Sequence, residues 1–428
     1  MYKSYCGIDF GTTNSAVSVV DEKLNSKQII FEKNKETIPT TIFFPEENTY
    51  NPKYGSQAIE EYISGGLGRF MRSIKRILGT DLMSLKTEVN DIRISYEDII
   101  CYFIRYLKNT AEAQIGVELD KVVLGRPVHF QDYAPDADKK AESFLRHIAV
   151  NAGFKEVQFQ YEPLAAAYAH EQQLAKEKLA CVVDIGGGTS DFSVIRLGPE
   201  RKKQTDRQKD ILANTGVRIG GNDFDRDLAI KCIMPELGYG TMLKPNPYNN
   251  RILPVPFTPY TMLAEWSSIN NLYTYKEKKN IDKIYEESAV PEKVGILREV
   301  VQRELGHTLL NKIENGKIAL TNQDSAITEL DFLKHPRNIG INKKDFEESI
   351  KSDTQKIINS TAECLRDAGV GYKDIELIIL TGGSTEIPYI KREICKLFKT
   401  ASISESGKFS SVSKGLGYSA SRLYEKGR

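Results

Sequence analysis

Residues 7–20, GIDFGTTNSAVSVV, and residues 182–195, VVDIGGGTSDFSVI, follow one plan. An apolar strand runs into an aspartate, passes one apolar residue, then glycines and threonines, and leaves on a second strand with alternating Val or Ile. The two aspartates, Asp9 and Asp184, are 184 − 9 = 175 positions apart. Such a repeat predicts two related halves, each presenting one hairpin turn.

The residue types in these turns suit a phosphate. Gly11, Gly186, Gly187 and Gly188 allow the backbone to come close and to point successive N–H groups at phosphate oxygens. Thr12, Thr13 and Thr189 add hydroxyl donors and Asn14 an amide. Asp9 and Asp184, at the strand ends, suit a hydrated Mg²⁺, which prefers carboxylates and water. One copy alone reads equally well as a plain glycine-rich turn, whereas two copies facing each other argue for a ligand between them. Residues 376–388, ELIILTGGSTEIP, add a buried strand, a double glycine and a helix, fitted for backbone contact with a nucleotide. Residues 220–225, GGNDFD, open a helix, which Asn222 or Asp223 would equally serve as a simple cap.

The remaining composition removes competing chemistries. Lys and Arg number 59 against 58 Asp and Glu, so no charge excess points to nucleic acid or an anionic membrane. The six cysteines have no paired spacing and the five histidines no metal spacing. HExxH, GxxxxGK[ST] and GxSxG are missing, which argues against a zincin, a Walker-type NTPase and a serine hydrolase. A start without a leader pattern and the lack of any long apolar run predict a cytosolic protein.

Taken together, GIDFGTTNS, VVDIGGGTSDFSV, GGNDFD and TGGSTEIP resemble the nucleotide-binding domain of DnaK-type heat-shock chaperones, within the actin-like ATPase superfamily. IKRIL at residues 74–78 and YEPLAAAY at 161–168 are similar to that family's catalytic-lysine and water-orienting-glutamate segments. The resemblance implies an α/β fold of two duplicated lobes, four subdomains around a nucleotide cleft, and ATP or ADP with Mg²⁺ as ligands. It makes Lys75 the residue that neutralises γ-phosphate charge and steadies the attacking water, and Glu162 a residue that takes part in placing that water and the hydrated metal. Asp9 and Asp184 would hold Mg²⁺ through water, with Asp184 and Asp191 near the hydrolytic water and Thr189 donating to the γ-phosphate. Judged alone, Lys75 reads as a solvated helix face and Glu162 as the start of a helix with Pro163 behind it.

For adenosine the resemblance implies Gly220, Gly221, Glu314, Lys317, Thr321, Gly382, Gly383, Ser384 and Ile387. Glu314 and Lys317 alone read as a surface i, i+3 ion pair. Ile318 and Glu386 stand where the family places two adenine-flanking arginines, so adenine binding is expected to be weaker and base choice looser than in DnaK-type chaperones.

Along the chain, residues 1–180 are expected to form the first lobe, with core 1–38 and 118–180 and insertion 39–117. Residues 181–428 would form the second, with core 181–230 and 342–428 and insertion 231–341. Residues 244–260 carry five prolines, followed by Trp266. They read as a packed surface loop, or else as a partner-docking surface. Residues 201–209 read as a solvated basic loop, residues 345–368 as one amphipathic helix, and 416–424 as the last helix. The chain is similar to short, YegD-like forms of the family without a peptide-binding domain. Pro127 matches a proline that relays nucleotide state, but Pro135 stands where an arginine would complete the relay. The leading expectation is a slow, Mg²⁺-dependent ATPase working with a protein partner. A nucleotide-gated interaction module with little hydrolysis is the second, and a small-molecule kinase the third.

Overall fold

The computed structural model describes residues 1–23, 25–32, 34–131, 134–204, 207–245, 250–404 and 410–425, without the side chains of Lys203 and Gln208. The chain forms two compact units, residues 1–220 with 355–428, and residues 221–354.

The first unit is built on two sheets with the same plan. In one, Tyr2–Phe10 is central, with Lys121–Arg126 and then Glu156–Tyr161 parallel on one side. Asn14–Asp21 and then Ser26–Gln28 lie antiparallel on the other. In the second sheet Lys178–Ile185 is central, with Leu377–Thr381 and Ser402–Ser404 parallel on one side. Ser190–Leu197 and Ile211–Val217 are antiparallel on the other. The repeat read from two turns therefore extends to whole sheets. Residues 180–183, ACVV, form an apolar run buried on both faces, as a strand inside a covered sheet requires, and Asp184 ends it.

Helices Tyr96–Ile115 and Pro135–Asn151 cover the outer face of the first sheet and share one apolar core with it. The first is capped at both ends: Ser95 Oγ accepts the Asp98 N–H, and Gly116 closes the helix at φ 68°. Pro135 occupies the first turn of the second helix, where its missing N–H costs nothing. A second core holds helices Glu162–Glu171 and Ser411–Tyr424 against strands of both sheets. The last helix begins five residues before the expected 416.

The segment expected as the first insertion carries a three-stranded antiparallel sheet, Thr41–Pro45 between Lys53–Tyr54 and Gly68–Arg72. Gly68–Arg72 leads straight into the turn that holds Lys75.

The second unit contains helices Tyr275–Glu287, Pro291–Gln302 and Gly306–Leu320 and the hairpin Ser325–Leu330 with Arg337–Asn342. Its single tryptophan, Trp266, is buried beside His307, with ring centroids 5.8 Å apart. Tyr260 is buried too and donates to the Leu237 carbonyl, while Phe257 stays exposed. Pro247, one of the five loop prolines, lies outside the described residues. The helix expected over 345–368 is two, Lys343–Ser349 and Lys351–Asp367, the first capped by Asn342 Oδ1 on the Asp345 N–H.

The basic loop is a correction. Arg207 is buried, not solvated: its two terminal nitrogens each donate to one oxygen of the fully buried Glu171 at 2.8 Å, and its Nε donates to Asp210. Arg201 pairs with Glu177 and Asp210. Charge spacing in the sequence cannot distinguish a solvated arginine from one buried against a carboxylate on a helix 36 residues earlier.

Candidate functional site

The two glycine turns come together. A Cβ added at Gly187 would lie 1.7 Å from Thr13 Oγ1, and one at Gly188 would lie 2.7 Å from Thr12 Oγ1. Only glycine permits that approach. Thr13 Oγ1 is buried and finds no hydrogen-bond partner among the described residues, so a donor stands ready where a phosphate oxygen would fit. Gly220 packs behind the second turn, where a Cβ would come within 2.6 Å of Gly187 backbone. Ser384 Oγ donates to the Gly186 carbonyl at 3.0 Å.

One cavity is lined by Asp9, Gly11, Thr12, Thr13, Asn14, Lys75, Glu162, Asp184, Gly186, Gly187, Gly188, Thr189, Gly382 and Gly383, together with Ser15, Ala16, Thr37 and Val412. Asp191 lies directly across the hairpin from Asp184. In the first hairpin the position opposite Asp9 is Ala16, so the repeat is chemically lopsided, with the extra acid on the second turn. Ile387 is buried at the end of a short turn before helix Pro388–Leu397 and does not line the cavity.

Lys75 sits in the turn Ile74–Ile77, entered through Ser73 at φ 56°, a left-handed conformation unusual for a residue with a side chain. The Arg218 guanidinium donates to the Arg76 carbonyl at 2.6 Å and pins the turn. The lysine is buried, and its Nζ donates to Glu162 Oε1 at 2.6 Å. Glu162 begins helix Glu162–Glu171 with Pro163 in its first turn.

Electrostatically the site is short of positive charge. Asp9, Glu162, Asp184 and Asp191 are set around Lys75, and burial is the main reason the aspartates resist ionising. Asp9 and Asp191 are pushed up to about 7 by burial and by the Glu162 charge, against the pull of Lys75. Asp184 is raised well above the carboxylate range by burial, then by Glu162, Asp191 and Asp9. For Asp191 a Val128 N–H donor at 2.8 Å favours the charged form. Burial alone would lower the Lys75 pKa, but Glu162 and Asp9 outweigh it and raise it. Carboxyls in this condition fit a cation brought in with a ligand. Among the described residues no three Asp, Glu, His or Cys side chains converge to bind a metal directly.

In the second unit, Glu314, Lys317 and Thr321 lie on or at the end of helix Gly306–Leu320. Lys317 is not in a surface i, i+3 pair. It is buried, 2.7 Å from Asp225 Oδ1, and donates to the Gly221 carbonyl at 3.1 Å. The helix Gly221–Leu228 is thereby tied to helix Gly306–Leu320 within that unit. Ile318 is exposed on the same helix.

A family model described as Hsp70 protein matches residues 5–237 and 288–415. The chain belongs to the Hsp70 family. It therefore has the actin-like ATPase fold of that family, whose members bind ATP and ADP, typically with Mg²⁺, act as chaperones on client proteins and are ATPases. The unmatched residues 238–287 include the proline-rich stretch and Trp266. Among the described residues no helix of this Hsp70 chain is long and apolar enough to cross a membrane.

Several neighbours of this Hsp70 site escaped the motifs. The Val128 N–H that reaches Asp191 is a backbone group and leaves no mark in residue type. Asp225 could have been found, since a second acid two residues after Asp223 in GGNDFD has no use in a cap. Thr37 and Val412 line the cavity from segments with no signature of their own.

Proposed function

We propose that this Hsp70-family chain is a cytosolic, Mg²⁺-dependent ATP-binding protein that hydrolyses ATP slowly and reports its nucleotide state to a protein partner. The observation that carries the reading is the cavity in which facing glycine turns, an unused Thr13 hydroxyl, one lysine and the three carboxyl groups of Asp9, Glu162 and Asp184 meet, with Asp191 across the hairpin from Asp184. Gly11, Thr12, Thr13, Asn14 and Gly186 to Thr189 would cradle the phosphates. Asp9 and Asp184 would hold Mg²⁺ through water, and the ion would offset phosphate charge.

Lys75 would place positive charge beside the γ-phosphate, while its bond to Glu162 keeps both side chains from wandering. Glu162 and Asp191 would orient the attacking water, with Asp184 nearby and Thr189 donating to the γ-phosphate. Such a site works by positioning and preorganised charge. Gly220, Gly221, Glu314, Lys317, Thr321, Gly382, Gly383, Ser384 and Ile387 would serve the nucleoside. The halves 1–180 and 181–428 would close on the nucleotide and alter a surface that the partner reads.

The deciding experiment is single-turnover hydrolysis of radiolabelled ATP by wild type and Lys75→Ala, with and without Mg²⁺. Turnover that needs Mg²⁺ and disappears in the variant is expected. Equal rates in both proteins would overturn the assignment.

A further inference from the structure

We propose that Arg126 is a positioning residue of the hydrolytic site, holding in one geometry the two backbone segments that set Glu162 and Asp191. The proposal rests on the ATPase reading above. Arg126 is the last residue of strand Lys121–Arg126 and stands in register with Tyr161, the residue before Glu162. Its guanidinium carbon lies 5.3 Å from the centre of the Tyr161 ring and 5.1 Å from that of Phe130, so one planar cation touches both aromatics. The same group donates to the carbonyls of Pro127 at 3.1 Å and Val128 at 3.3 Å. Val128 in turn gives its N–H to Asp191 Oδ1 at 2.8 Å.

The strand end therefore braces both acids. Gly125 backs Glu162 so closely that a Cβ there would come within 3.2 Å of its Cγ. Arg126 fixes Tyr161 on one side and Val128 on the other. The remaining guanidinium nitrogen pairs with Glu142 on helix Pro135–Asn151 at 2.5 Å, and Glu142 also receives Arg146, whose guanidinium covers Phe159. The arginine side chain is only 12% exposed, so its bonds are not those of a solvated surface residue. Among the described residues Arg126 itself bonds to no residue of the glycine turns, and its chain of contacts meets them only at the far end, where the Thr189 hydroxyl bonds to Asp191; the brace therefore acts on the acids first. A lysine could supply the charge but not the flat fork that stacks on two rings and reaches three acceptors.

The test compares wild type, Arg126→Met, Arg126→Lys and Glu142→Gln for single-turnover rate, ADP Kd and hydrogen exchange at residues 126–130 and 160–163. A displacement of catalytic groups by about 1 Å costs about 100-fold in rate. Arg126→Met is therefore expected to turn over about 10- to 100-fold more slowly with ADP Kd within about twofold of wild type. Arg126→Lys should recover little of the rate, Glu142→Gln should fall between, and exchange at the Val128 amide should accelerate in all three. A wild-type rate in Arg126→Met, full rescue by lysine, or loss of rate and ADP binding together would each overturn the proposal. Should wild type itself show no Lys75-dependent turnover, the ATPase reading falls, and exchange still decides Arg126: unchanged protection of Val128 in Arg126→Met refutes the bracing.

Discussion

Lys75 Nζ meets Glu162 Oε1 at 2.6 Å, joining a turn of the outer segment to the first residue of a core helix 87 positions later. Both side chains are largely shielded from water, so each is the other's main compensation for burial. Removing the ammonium leaves four acids without a resident cation. We expect Lys75→Ala to lower single-turnover hydrolysis by about 100-fold or more, the scale of losing one preorganised charge donor. Glu162→Gln retains an acceptor for Lys75 and should cost less in stability than in rate. Equal losses in melting temperature and rate for both variants would contradict this division.

The raised aspartates make a pH prediction whose sign is fixed. Asp9 and Asp191 ionise near 3.8 when unperturbed and at about 7 in the fold. Between these values the folded, cation-free protein keeps protons that the unfolded chain has released. Its stability from these groups is greatest at the acid end of the window and declines as pH rises to about 7, then levels. Mg²⁺ competes with the same protons. Its affinity with ADP should climb up to about tenfold per pH unit for each proton displaced, with the share owed to Asp9 and Asp191 levelling above about 7. Calorimetry in two buffers of different ionisation enthalpy measures the protons released; an affinity constant from pH 5.5 to 8 would sink the prediction.

Base choice offers a third test. Ile318 leaves an apolar side chain exposed on the helix that carries Glu314 and Lys317, and Glu386 brings an acid where the resemblance calls for a second arginine. A lost cation–π contact removes about 0.5–1 kcal/mol at an exposed site. We expect ATP to be favoured over GTP by only a few-fold, and Ile318→Arg to sharpen that preference. Calorimetric titration showing tight, adenine-selective binding by wild type would refute it.

Much of the first unit was legible because its constraints are local. Gly186 to Gly188 and Thr12 to Thr13 carry their geometry in residue type, and the pattern around Asp9 and Asp184 announced a repeat that reaches the strand order. Lys75 and Glu162 were legible only through resemblance, since each alone looks like an ordinary helix residue. Arg207 shows where pattern fails: its acids, Glu171 and Asp210, come from different segments, and burial is a property of the packed chain. The Lys317 partner, Asp225, was hidden for the same reason, with a nearer acid, Glu314, offering a plausible but different pair.

Arg207 also carries a stability prediction. With Glu171 fully buried and also accepting the Gly198 N–H at 2.9 Å, the pair is desolvated but well bonded. Arg207→Met would strand that carboxylate, at a cost of about 3–5 kcal/mol. Glu171→Gln should cost less, because a neutral amide still accepts from both arginine and backbone. Urea unfolding gives both values, and an Arg207→Met loss below about 1 kcal/mol, the range of a surface pair, would show the network to be solvated after all.

The helix that presents Glu162 depends on a glycine far along the chain. A Cβ at Gly415 would fall 1.6 Å from the Ala165 carbonyl oxygen, where real Cβ contacts essentially never come closer than 3.0 Å. Helices Ser411–Tyr424 and Glu162–Glu171 must therefore part if alanine is introduced. At Gly417 the obstacle is the Ser18 hydroxyl at 2.5 Å, the end of a side chain that can rotate. Gly415→Ala should destabilise by about 1–3 kcal/mol or more, as overpacking does, and slow hydrolysis as well because Glu162 moves with its helix. Gly417→Ala should be the milder change in both respects. Thermal melts and single-turnover rates on the two variants check the ranking; a Gly415→Ala protein with wild-type stability and rate would mean that the helices do not meet as closely as the backbone contact requires.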